Sequence, residues 1–145
     1  MPRKRVWVGE DGTEYRSKLE MQVANKLLAD NVEYQYEAHT LKYKVTASKH
    51  ECTQCESTKI NKLGDYLTDF YLPNSKIYVE TKGRFTSVDR RKMEAVIKQY
   101  PDLDIRMLFP TDNWISKKHK KRYSGWCEQK GIPYAIGSLV PNEWY

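Results

Sequence analysis

The sequence predicts an α/β fold, a mixed sheet with helices packed against it, and three observations carry that reading. Apolar residues recur at helical spacing in two segments, Leu19-Val23-Leu27 and Met93-Val96-Ile97-Tyr100. Alternating runs around Tyr34, around Tyr43 and from Tyr66 to Lys82 read as strands. Pro73-Asn74-Ser75 supplies a turn that folds the last run into a hairpin. The implied order is αβββαβα, and 145 residues suit one compact domain, 1–145.

Taken in order, residues 1–14 are basic and then glycine-rich, and read as an arm or short strand. Ser17-Lys18-Leu19-Glu20 is a capping-box pattern that starts a helix, with Ala24 and Leu28 broadening its apolar stripe until Asp30-Asn31. Tyr34 and Tyr36 alternate with Glu33, Gln35 and Glu37, and Leu41, Tyr43 and Val45 form a second alternating run. Residues 46–64 are polar, contain His50, Cys52, Cys55 and Gly64, and read as an inserted loop. After the Tyr66–Lys82 hairpin, Gly83 ends the strand, Ser87 caps a helix, and Pro101 stops it. Ile105 to Phe109 is a short strand, and a last helix around Trp126 ends at Gly131.

A formal net charge of +6 favours an anionic partner, nucleic acid ahead of a membrane surface, against the plainer reading of a soluble basic protein. No apolar stretch is long enough to span a membrane, and Met1-Pro2-Arg3-Lys4-Arg5 lacks the apolar run of a secretory signal. Three cysteines, an odd number, argue against a disulfide scaffold and for a reducing intracellular setting.

The densest chemistry lies in the hairpin. Asp69 precedes Glu80-Thr81-Lys82 by eleven positions. Strand alternation puts Ile77, Val79 and Thr81 on one face and Tyr78, Glu80 and Lys82 on the other, and the hairpin brings Asp69 beside them. Mg²⁺ takes oxygen ligands and keeps several waters, so Asp69, Glu80 and the Thr81 backbone carbonyl suffice beside phosphate oxygens. Lys82 is placed to orient or help deprotonate an attacking water. Exposed strand charges with Lys82 as their salt-bridge partner are the competing reading. Glu20 likewise serves either the helix cap or, bordering the apolar stripe, a metal.

Tyr15-Arg16-Ser17-Lys18-Leu19-Glu20, Tyr34-Gln35-Tyr36-Glu37, Thr68-Asp69-Phe70-Tyr71-Leu72-Pro73-Asn74 and Val79-Glu80-Thr81-Lys82-Gly83 together resemble the phage endonuclease I family. Asp102-Leu103-Asp104-Ile105-Arg106 and Pro141-Asn142-Glu143-Trp144 extend the resemblance over nearly the whole chain. The resemblance implies a restriction-endonuclease-like PD-(D/E)xK core and cleavage of four-way (Holliday) junctions and other branched DNA by paired nicks. It implies Mg²⁺, with Mn²⁺ substituting, at two ions per site. Asp69, Glu80 and the Thr81 carbonyl match the metal ligands, Lys82 the catalytic lysine, and Glu20 the helical glutamate that reaches the second metal. It further implies an intertwined homodimer in which Glu20 enters the partner subunit's site, in the cytoplasm of a host cell.

Three departures from the family pattern stand out. Thr68 replaces a proline before Asp69, which bears on turn stiffness. Gln35 replaces an active-site glutamate, and an amide lacks the carboxylate charge, so Glu37 two positions on is a candidate substitute. The chain ends at Tyr145 without the family's basic tail. Phosphate contact is therefore expected from Arg3, Lys4, Arg5, Lys117, Lys118, Lys120, Lys121 and Arg122, giving affinity and salt sensitivity rather than base readout. His39, His50 and His119 form no acid–base constellation. Cys52 and Cys55 form one C-x₂-C pair. They are either free thiols or part of a Zn²⁺ site, pooled across a dimer axis or completed by His50 or Cys127. A nuclease for ordinary duplex and a catalytically weakened junction binder are the alternative functions.

Overall fold

The computed structural model describes residues 6–49, 58–116, 118 and 120–145. It is a mixed α/β structure. A five-stranded sheet is ordered β3 (Gln35–Tyr36), β6 (Phe70–Leu72), β7 (Ile77–Thr81), β8 (Asp104–Phe109), β9 (Tyr134–Ile136). The β3–β6–β7 pairings are antiparallel and β7–β8–β9 are parallel, with α2 (Ser87–Gln99) and α3 (Tyr123–Lys130) making the two crossovers. Parallel neighbours need such crossovers, and helices on the sheet follow from them.

Alternation along the strands sorts side chains into two cores. Val23, Ala24 and Leu27 of α1 (Lys18–Ala29) pack with Phe70, Leu72, Ile77, Val79 and Leu108. Met93 and Val96 of α2 and Trp126 and Cys127 of α3 pack with Ile105, Met107 and Phe109, joined by Tyr78. The central strand β7 thus presents Ile77 and Val79 to α1 and Tyr78 to the opposite layer, as alternation predicts. Ser17 caps α1 by accepting from the Glu20 backbone N–H at 3.1 Å. The cap of α2 is Thr86 rather than Ser87, in a reciprocal box with Asp89. Gly131 ends α3 in the left-handed region at φ 69°, which glycine adopts without steric cost.

One expectation needs correction. Residues 46–64 are not simply a loop: β4 (Thr40–Lys49) and β5 (Thr58–Leu67) form one antiparallel ladder from Thr40↔Leu67 to Lys49↔Thr58. A ladder satisfies its backbone groups whatever the side chains, so a polar sequence does not preclude it. Gly64 marks no break there. A Cβ at that position would lie 2.5 Å from the Tyr43 ring, so the glycine lets the ring cross the strand. The ladder is tied to α2 by Tyr100 donating to the Lys42 carbonyl at 2.6 Å and by Gln99 bonding both backbone groups of Lys44. Residues 50–57, with His50, Cys52 and Cys55, lie outside the described residues.

The N-terminal segment takes the strand form among its two expected readings. Beyond residues 1–5, which also lie outside the described residues, it forms a small hairpin of β1 (Trp7–Val8) and β2 (Glu14–Tyr15). Tyr15 is buried against Phe70 and Tyr36, which anchors that hairpin in the first core. The Glu33–Glu37 run keeps only two strand residues, because Glu37 turns to φ 49° and ends the pairing.

Candidate active site

The acidic cluster forms at the carboxyl end of β7, where the chain leaves the middle of the sheet. Asp69 sits between β5 and β6, and its Oδ2 accepts from the Thr81 backbone N–H at 2.9 Å and the Thr81 hydroxyl at 2.8 Å. This places Asp69 against β7 one residue beyond Glu80. Glu80 is 3 % exposed, and its Oε2 accepts from the hydroxyl of Tyr66, itself 2 % exposed. Lys82 Nζ lies 3.5 Å from Glu80 Oε1 and 3.6 Å from Asp89 Oδ1 of α2.

Glu20 joins the cluster from α1. Its Oε2 accepts from the Tyr36 hydroxyl at 2.5 Å and from the Arg16 backbone N–H at 3.2 Å. The capping box of α1 is therefore one-sided: the carboxylate bonds the residue before the cap, not Ser17. Burial, followed by the negative charge of Glu20, raises the Asp69 carboxyl to about 6. Within one chain the charge of Glu20 therefore acts on Asp69.

The electrostatics are those of carboxylates held together out of water. Burial and the charge of Asp69 push Glu80 up to about 8, against the lowering effects of Tyr66 and Lys82. Burial opposes the Lys82 ammonium, but Glu80, Asp89 and Asp69 outweigh it and raise its pKa. Among the described residues no three acidic, histidine or cysteine side chains converge into a ready-made metal cage. The donor set still fits Mg²⁺, which needs one or two carboxylates and fills its octahedron with water and substrate oxygens. A cation would also relieve the repulsion between Asp69, Glu80 and Glu20.

Gln35 and Glu37 behave differently from the rest. Gln35 Oε1 is 2.8 Å from His39 Nε2, and His39 rests edge-on against Tyr71 and Tyr78. Glu37 is not on the face of Gln35, since the strand has ended. Its carboxylate pairs with Arg16 at 2.9 Å, on the Glu20 side of the cluster. Of the basic segment, Lys118 and Lys120 are exposed, Lys121 bonds Gln129, and Arg122 lies over the Trp114 ring at 4.1 Å. Arg3, Lys4, Arg5 and Lys117 lie outside the described residues. Cys127 is wholly buried in the second core, and burial pushes its thiol up to about 12.

Three contacts escaped the sequence reading: Tyr66 on Glu80, Tyr36 on Glu20 and Asp89 on Lys82. Asp89 left a signal, the Thr86-x-x-Asp89 cap pattern, which fixes the start of α2 and hence what faces Lys82. Tyr66 left none, because its bond to Glu80 joins two strands, β5 and β7, that do not pair with each other.

Known proteins share this arrangement of sequence. The chain is 35% identical over 131 residues to "Endonuclease I" of Escherichia phage T7, covering 90% of this chain and 77% of that protein. It is also 35% identical over 131 residues to "Endodeoxyribonuclease 1" of Enterobacteria phage T3, covering 90% of this chain and 76% of that protein. A sequence model described as phage endonuclease I matches residues 3–145. With a match that takes in every carboxylate of the cluster, the chain belongs to the phage endonuclease I family.

Proposed function

We propose that this protein is a metal-dependent, structure-selective DNA endonuclease that resolves four-way and other branched junctions by paired nicks. The observation that carries the reading is the coupled pair Asp69 and Glu80 beside Lys82, at the carboxyl end of the central strand. Two carboxylates held close in a dry site suit a divalent cation better than each other. Bound Mg²⁺ or Mn²⁺, at two ions per site, would polarise a phosphodiester and lower the pKa of a bound water.

The chain's own residues divide the remaining work. Asp69, Glu80 and the Thr81 carbonyl would hold one ion, and Glu20 would serve the second. Tyr66 and Thr81 aim the two carboxylates by hydrogen bonds. Lys82, held between Glu80 and Asp89, orients the attacking water and offsets phosphate charge. Gln35 leaves that side of the site short of one negative charge and slows the reaction. Lys118, Lys120 and Arg122 hold backbone phosphates.

Two nicks on opposing strands call for two sites, hence a homodimer. Exchange of the N-terminal part would keep the Glu20–Asp69 proximity while moving it between subunits. Cys52 and Cys55, in the segment that joins β4 to β5, would bind zinc where two copies meet. Stoichiometric zinc in untreated but not chelator-treated protein tests that part.

The test of function incubates a four-way junction and a matched linear duplex with wild type and Glu80→Ala, in Mg²⁺ and in Ca²⁺. Paired nicks near the branch, only with Mg²⁺ and intact Glu80, are expected. Equal cutting of both substrates would instead make it a general duplex nuclease, and tight binding without cutting a junction binder.

A further inference from the structure

A cleft of about 380 Å³ opens beside the acidic cluster, lined by Arg84, Phe85, Ser87, Arg90, Trp114 and Tyr123 among others. Its volume falls within the roughly 300–1,000 Å³ of small-ligand clefts. We propose that this cleft is a subsite for one nucleotide of a DNA strand flanking the scissile phosphate, its phosphate held by Arg84 and Arg90 and its base stacked on Trp114. The assignment rests on the nuclease reading above and names a part of the substrate that the acidic cluster does not contact.

Three features support it. The first is place. The cleft begins where the site ends: Arg84 follows Lys82 by two residues, and Arg90 follows Asp89, the α2 carboxylate 3.6 Å from Lys82. A strand whose phosphate reached Lys82 would lay its neighbouring nucleotide over Arg84 and Arg90.

The second is chemistry. Arg90 donates from Nη1 to the Phe85 carbonyl at 2.7 Å, which fixes its guanidinium while using one of five donors. Arg84 is exposed at the rim. Asp89, next to Arg90 in the chain, is engaged by Thr86 and Lys82, and among the described residues no carboxylate lines the cleft. Opposite stands Trp114, a large aromatic with 40 % of its surface exposed. Its ring lies against the Arg122 guanidinium at 4.1 Å, and Arg122 is anchored by donating to the Asp112 carbonyl at 2.9 Å. Guanidinium forks suit phosphate oxygens, and a propped, exposed indole suits a base. An inorganic anion would leave the indole unused, and an apolar ligand would leave the arginines unused.

The third is rigidity. Phe85 and Tyr123 form a buried floor, and the Phe85 backbone N–H donates to the Tyr123 hydroxyl at 3.1 Å. The cleft is therefore in place before a strand arrives, and binding orders few groups.

The experiment uses the full chain in Ca²⁺. A four-nucleotide single-stranded oligothymidylate is titrated against intrinsic tryptophan fluorescence, and a fluorescein-labelled junction is titrated by anisotropy at several salt concentrations. Quenching by the oligonucleotide is expected in wild type and absent in Trp114→Phe, whose other tryptophans remain. Trp114→Ala should weaken junction binding about tenfold, while Trp114→Phe, which keeps a stacking ring, stays close to wild type. Arg84→Ala should weaken binding and lower the slope of log affinity against log salt by about one. Undiminished quenching in Trp114→Phe, or an unchanged salt slope in Arg84→Ala, overturns the subsite. If Trp114→Ala does not fold, the phenylalanine and arginine variants still decide. Absence of junction cutting by wild type in Mg²⁺ would sink the nuclease reading instead, and the oligonucleotide titration is independent of it.

Discussion

Tyr66 donates its hydroxyl hydrogen to Glu80 Oε2, and both side chains are almost wholly shielded from water. A lone buried carboxylate would swing between partners, whereas this bond holds one oxygen and leaves Oε1 directed at Lys82. Tyr66→Phe should therefore raise the Mg²⁺ concentration for half-maximal cleavage about three- to tenfold, with kcat at saturating Mg²⁺ changed far less. A Mg²⁺ titration of the cleavage rate checks it, and an unchanged midpoint would remove Tyr66 from the site.

The raised carboxyls predict an inverted pH profile for stability. Native Asp69 and Glu80 hold protons to about 6 and about 8, above their ordinary range, so the native state binds more protons than the unfolded one between those values and about pH 4. Stability of the metal-free protein then falls as pH rises from about 4 to about 8, and levels off above. The melting temperature in chelator should drop over that window through these groups, and Glu80→Gln should flatten the upper part. Mg²⁺ binds the deprotonated forms, so its stabilising effect should grow with pH. Melting curves at matched ionic strength, with and without Mg²⁺, measure both trends.

Asp89 contacts Lys82 with one carboxylate oxygen and Thr86 with the other. Asp89→Asn keeps an acceptor for Thr86 but removes the charge beside Lys82. About a tenfold loss of kcat with little change in KM or melting temperature is expected. Asp89→Ala should add a loss of about 1 kcal/mol from the broken cap. Unchanged kcat in Asp89→Asn, with stability lost only in Asp89→Ala, would reduce Asp89 to a capping residue.

Gln35 tests the charge deficit. Its oxygen faces His39 Nε2, so a carboxylate there has a donor already in place. Gln35→Glu should raise the single-turnover cleavage rate about tenfold in saturating Mg²⁺. An unchanged rate would mean that Gln35 costs this protein no activity.

Much of the fold was legible because local patterns state local needs. Helical spacing marked the apolar stripe of α1, Ser17 marked its start, Pro101 followed the end of α2, and Gly131 ended α3. Strand alternation sorted β7 between two cores before any helix was placed. The β4–β5 ladder was missed because its pairing rests on backbone bonds that polar side chains neither require nor forbid. β9 was missed because three residues beside β8 carry no period of their own.

The sequence by itself determined the chemical cast: Asp69, Glu80, Thr81 and Lys82 at strand spacing, Glu20 on a helix, and a family resemblance joining them. Only the tertiary structure decided how charged that cast is and who holds it. Burial of Glu80, its bond from Tyr66, the charge of Glu20 acting on Asp69 and the pull of Asp89 on Lys82 all join residues that no single helix or strand contains. Spacing tells which face a side chain takes. Desolvation and mutual repulsion depend on what the rest of the fold lays over that face, and no local pattern records it.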